Sequence, residues 1–383
     1  MFAALRAEGD VVLFDQRGCG KSEPSLLPVG APRPGANTLA SRENFAAYLT
    51  QISGAVRDRL RAAGHDPANY TILESAEDIE SLRAALGVPR INLFAHSYGT
   101  QLAQSFVRAY PDSVGRMILA GARGMDTTRK LPAEADAFLV RIAELARADA
   151  TVGARFPDLL ATLDRVLARL DRSPVPVAIE GQSGKFTLNV GGYALRFIIA
   201  KFYLNDPDNF RYLPKLLDEL DEGRRPWSLI FNLGQITRGG VSFAWFTTDG
   251  ASGVSAARAR LIGEQAATAR LADAMNFPFP DVNIAWAMPD LGAEFRAPVR
   301  TGVSTLFVAG TLDGITPVAQ TREIMQGFRD GRLLEVKNGG HTSQLRAPGV
   351  AAAIAGFLAG REPPSQLELP LPAFLPLIAQ KKS

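Results

Sequence analysis

A short apolar run, residues 91–95, gives way within four residues, His96-Ser97-Tyr98-Gly99, to a helical stretch that stops at Tyr110 and Pro111. The connection has room only for a sharp turn. Its apex, Ser97, is lifted clear of the strand, with small neighbours, Ala95 and Gly99, on either side. Similar runs recur along the chain. Residues 10–15, 116–120, 304–309 and 332–336 read as strands, several of them continuously apolar as in a sheet covered on both faces. Helical stretches stand between them: 41–63, one through Leu86 whose capping box is Ser75 and Asp78, and one after the Thr316-Pro317 cap pair. A last helix is expected over 348–358. Strands joined by helices of this size imply right-handed crossovers and a mostly parallel sheet, an α/β architecture.

Residues 125–300 break the alternation. Helical patterns dominate there, at 133–148, 156–170, 193–203, 213–222 and 256–274, interrupted by a hairpin around 181–184 and a polar turn at 247–253. Trp227, Phe231, Phe243, Trp245, Phe246 and Trp286 concentrate aromatic surface that suits a helical core, or together the lining of a pocket beneath a helical lid. The chain therefore divides into a first core part (1–124), a helical lid insertion (125–300), a second core part (301–361) and a Pro-rich tail (362–383). That tail reads as an extended strap or a fraying end that closes on Lys381, Lys382 and Ser383.

Composition removes several function classes. Lys and Arg number 42 against 39 Asp and Glu, with no run of five like charges, so a nucleic-acid partner is not expected. The single cysteine, Cys19, excludes an internal disulfide, and three histidines, His65, His96 and His341, are too few for an expected metal site; no cofactor is implied. The longest apolar stretch, near 350–359, is too short to span a bilayer. The chain opens without a signal-peptide pattern, on what reads as the last turns of a helix running straight into the 10–15 strand. A cytoplasmic location is the expectation, and a missing upstream segment is expected too, which leaves room for a signal peptide.

A nucleophilic serine needs a base in reach and a carboxylate to orient that base. Asp313 follows the 304–309 strand, in Gly310-Thr311-Leu312-Asp313-Gly314, and His341 follows the 332–336 strand, in Asn338-Gly339-Gly340-His341. Ser, Asp and His then lie in that order at the carboxyl ends of parallel strands, on one rim of the sheet. His65 sits in a surface-like turn. His96 adjoins Ser97, so its side chain should diverge from it and pack or hydrogen-bond beside the turn.

With Val11-Val12-Leu13-Phe14-Asp15-Gln16-Arg17-Gly18-Cys19-Gly20-Lys21-Ser22, Ala76-Glu77-Asp78-Ile79-Glu80-Ser81-Leu82-Arg83, and Tyr110-Pro111-Asp112 added to these loops, the chain resembles the α/β-hydrolase superfamily. Within it, it is similar to the proline iminopeptidase and tripeptidyl aminopeptidase-like serine peptidases. The resemblance implies that Ser97 is the nucleophile, His341 the base and Asp313 its orienting acid, with the Tyr98 backbone N–H in the oxyanion hole. It also implies release of residues from peptide N-termini, with Asp249 and Glu264 the candidates by position to hold the substrate ammonium. The expected substrate is a small peptide or amide. An ester or lactone on the same residues, or a silent hydrolase-fold binding protein, stands as the alternative.

The sequence departs from Gly-x-Ser-x-Gly at Ala95, and the loop that supplies the second oxyanion donor in the superfamily has no counterpart. The strand preceding that loop is expected to be missing as well. The expectation is a sheet lacking its first strands, with 10–15 and 91–95 separated by about 9–10 Å, two interstrand spacings.

Overall fold

A computed structural model describes residues 2–181, 184–237 and 242–377. Five strands form one all-parallel sheet in the order β1 (Ile91–His96), β2 (Val114–Ala120), β5 (Ser304–Gly310), β6 (Gly331–Lys337), β7 (Gln366–Glu368). β3 (Val175–Gly181) and β4 (Gly184–Val190) form a separate antiparallel pair, with Gln182 and Ser183 outside the described residues. Helices cover both faces of the large sheet. Helices Ile72–Ala85 and Tyr98–Ala109 pack with Met117, Leu119 and Phe307, while Val350–Leu358 buries Ile354 and Phe357 against Ile118, Leu306 and Val308. Consecutive residues of β2 and β5 thus enter opposite cores, which is why these strands are apolar throughout rather than alternating.

The segment between β2 and β5 has its own core, where Leu139, Leu163, Leu167, Leu195 and Leu216 meet Val177 of β3 and Leu188 of β4. The tail crosses from one part to the other. β7 pairs with β6, the Leu375 N–H donates to the Arg211 carbonyl at 3.2 Å, and Phe374 and Leu377 pack on the helical core. Lys381, Lys382 and Ser383 lie outside the described residues.

Several expectations are corrected. Residues 10–15 form no strand: Val12, Leu13 and Phe14 are 50%, 71% and 43% exposed, and β1 is bonded through β2 alone among the described strands. An apolar run becomes a strand only where a partner's backbone lies within reach, and among the described residues none pairs with it. The helix expected to be capped by Ser75 begins earlier, with Thr71 and Glu74 closing the capping box; Ser75 instead donates its hydroxyl to the Thr71 carbonyl, as first-turn serines do. The polar turn expected at 247–253 is largely the helix Ala244–Ser252, buried because its carboxylate, Asp249, has a cationic partner. The helix expected over 256–274 ends at Ala266, and Thr316 caps nothing: Pro317 is the N-cap of Val318–Met325.

The aromatic group is also redistributed. Phe243, Phe246 and Trp286 are buried against Ile52, Val56 and Leu60 of the helix Arg42–Ala62, with Trp245 packed at the edge. They build a core between helices rather than line a pocket. Phe231 is exposed, and the side chain of Trp227 lies outside the described residues.

Candidate active site

The end of β1 sets the geometry. Ser97 N–H donates to the Ala120 carbonyl at 3.0 Å, prolonging the β1–β2 ladder by one bond, and the next residue already opens the helix Tyr98–Ala109. To turn that fast, Ser97 adopts φ 54°, ψ −120°, a conformation that costs a non-glycine residue about 1–3 kcal/mol. Gly99 lies over Ala95, where an added Cβ would stand 3.7 Å from the Ala95 methyl, an ordinary van der Waals contact. Tyr98 contributes the first N–H of the helix, one of the four that no carbonyl within the helix can satisfy.

Ser97 Oγ lies 2.7 Å from His341 Nε2, and His341 Nδ1 lies 2.8 Å from Asp313 Oδ2. The carboxylate is held by its own turn: Oδ1 accepts from the Ile315 and Thr316 amides at 2.7 and 2.9 Å, and Oδ2 from the Thr316 hydroxyl at 2.6 Å. Nδ1 therefore carries the proton toward Asp313, and Nε2 offers its lone pair to the serine. Asp313 and His341 are both buried. The three residues come from the ends of β1, β5 and β6, so one sheet rim assembles them.

Further contacts fix the histidine. Gln344 donates to the His341 carbonyl at 2.8 Å, and the same oxygen accepts from His96 Nε2 at 2.7 Å. Burial, then the neighbouring His341 ring, push the His96 pKa below the usual imidazole value, so this side chain is a neutral donor. Asp206, from the helical segment, accepts from the Thr342 amide at 2.8 Å and the Ser343 amide at 3.1 Å. Gly121 passes under the imidazole at φ 57°, where an added Cβ would stand 3.1 Å from His341 Cε1.

The two residues expected to hold an ammonium are not brought together. Asp249 is buried and pairs with Arg123, while Glu264 sits on the exposed helix Ala256–Ala266 beside Arg260, 4.0 Å away. His65 lies in an exposed turn. Sequence reading missed Thr316, Gly121 and Asp206. Thr316 alone had a signal, three residues after Asp313 in a tight loop.

Among the described residues no helix is long and apolar enough to cross a membrane. The profile of the alpha/beta hydrolase fold matches residues 1–348. A putative hydrolase, YuaR, of Escherichia coli K12 is 28% identical over 126 residues, 32% of this chain and 23% of that protein. A proline iminopeptidase of Xylella fastidiosa is 29% identical over 112 residues, 28% of this chain and 35% of that protein. A tripeptidyl aminopeptidase of Streptomyces lividans is 31% identical over 121 residues, 29% of this chain and 21% of that protein. These alignments span no more than about a third of the relatives' own lengths.

Proposed function

We propose, from the premise that the chain belongs to the α/β hydrolase fold family, that it is a serine hydrolase cleaving a small peptide or amide through an acyl-Ser97 intermediate. The observation that carries this reading is the relay from Ser97 Oγ to His341 Nε2 at 2.7 Å and from Nδ1 to Asp313 at 2.8 Å. Nε2 takes the hydroxyl proton as Oγ attacks the carbonyl carbon, and returns it to the leaving nitrogen as the C–N bond breaks; water then repeats the sequence on the acyl-serine. The Tyr98 N–H faces the developing oxyanion. The helical segment 125–300 serves in this reading as a lid.

An N-terminal aminoacyl residue as the acyl group draws its support from the names of the relatives, a proline iminopeptidase and a tripeptidyl aminopeptidase. One observation favours an ester instead: with Asp249 committed to Arg123, neither candidate carboxylate is free and buried to receive an ammonium. A fluorophosphonate probe tests the reaction class. Labelling that is lost in Ser97→Ala is expected, and an unlabelled wild-type protein would refute the serine mechanism. Aminoacyl anilides against short acyl esters then decide the leaving group.

A further inference from the structure

The loop that leaves β2 starts on the rim where Ser97, Asp313 and His341 stand, and it carries three cations inward. Arg123, Arg129 and Lys130 are each only 8% exposed. A buried cation is costly without a negative partner. Among the described residues, Asp249 is the one carboxylate that ion-pairs with any of them, through Arg123. Nε of Arg123, Nε of Arg129 and Nζ of Lys130 are buried with no hydrogen-bond partner. These side chains sit on a fixed backbone: the Arg123 amide donates to Thr100 Oγ1 at 2.8 Å, and Asn276 bonds both the amide and the carbonyl of Lys130, at 2.6 and 2.8 Å.

The surroundings suggest what the cations are for. The Arg123 guanidinium lies 5.6 Å from the ring centroid of Tyr98, the residue beside the nucleophile. Arg129 stacks 3.9 Å over the Phe279 ring, and both line a cavity of about 780 Å³ whose other walls include Val254, Ile262 and Met288. Two carboxylates reach this cavity, but Asp273 is paired with Arg42 at 2.7 Å and Asp290 with Arg296 at 2.5 Å. We infer that Arg129 and Lys130, flanked by the Arg123–Asp249 pair, form a subsite for a carboxylate, so that the compound acylating Ser97 carries a second, anionic end on an apolar stem. The words about acylation rest on the serine hydrolase reading; the anion site does not.

Charge balance favours an anion. Arg123, Arg129 and Lys130 stand against Asp249, and Lys201, with its Nζ on the Met275 carbonyl at 2.7 Å, adds a fourth cation near Arg129 and Asp249. Burial first, then the Arg123 charge and more weakly Arg258, lower the Lys130 pKa to about 7, against Asp313 and Glu134, which act to raise it. Burial likewise lowers the Lys201 pKa, to about 8, so at neutral pH the group keeps a net positive charge that an anionic ligand offsets.

The test compares the 4-nitrophenyl hemiester of glutaric acid with its methyl-capped neutral counterpart, and measures binding of glutarate itself by calorimetry. The wild type is expected to prefer the hemiester by about tenfold or more in kcat/KM, through KM. Arg129→Gln and Lys130→Met should each erase most of that preference, and Arg129→Lys should restore part of it. Glutarate binding should weaken as pH rises through about 7, and Lys130→Met should flatten that dependence. Equal turnover of the two esters, or glutarate binding indifferent to both substitutions, would overturn the subsite. If neither ester is hydrolysed and the fluorophosphonate does not label, the hydrolase reading fails alone, and the calorimetry still decides the anion site.

Discussion

His96 and His341 stack at a tilt, with ring centroids 4.7 Å apart, and His96 Nε2 bonds the backbone carbonyl of His341 at 2.7 Å. The histidine next to the serine thus holds His341 rather than Ser97. His96→Ala is expected to lower kcat by about 10- to 100-fold through misplacement of the imidazole, with KM little changed. His96→Asn, which keeps a donor, should recover much of the loss. Stability gives an independent check. The folded pKa of His96 lies below its unfolded value near 6.5, so the unfolded chain binds more protons as the solution is acidified and wild-type stability falls with falling pH through that range. Denaturation midpoints of His96→Asn should fall less steeply between pH 7 and 5.

Asp313 is expected to set the tautomer of His341. In Asp313→Asn the amide would present a donor to Nδ1, turning the ring's proton toward the serine. A drop of about 10⁴ in kcat follows, with the fold intact by circular dichroism.

Gly121 tests the packing beneath His341. A methyl at this position meets His341 Cε1, Gln344 Nε2 and Thr316 Oγ1 together, each at 3.1 Å, on a backbone at φ 57°. Gly121→Ala should cost about 1–3 kcal/mol in chemical denaturation and reduce turnover more than substrate affinity.

Asp249 separates two roles. As an ammonium site, its removal would raise KM for aminoacyl substrates and leave the fold alone. As the counter-ion of buried Arg123, Asp249→Asn should destabilise the protein by about 3–5 kcal/mol, because it strands a buried cation. Denaturant titration is expected to show the loss.

The placement of Ser97, Asp313 and His341 on one rim was legible because each closely follows a strand of the parallel sheet. The helix expected at 41–63 is found as Arg42–Ala62, capped by Ser41, because its pattern and its cap agree. Where the reading failed, a distant partner decided. Residues 247–253 look polar in sequence, yet Asp249 meets Arg123 from 126 positions away and the segment folds as a buried helix. Arg129 and Lys130 look like an ordinary basic loop. Nothing local tells that Asn276 would pin their backbone inside. The run at 10–15 has the composition of a strand and no ladder, because pairing belongs to the neighbour as much as to the segment.

Asp206 belongs to the helical segment but grips the loop behind His341 through the amides of Thr342 and Ser343. In the proposed reading of this segment as a lid, a gate that swung by lifting residues 205 and 206 would displace His341 at every opening. Under that reading the doorway for reactants is one that leaves this hinge post standing, in the parts of the helical segment far from Asp206.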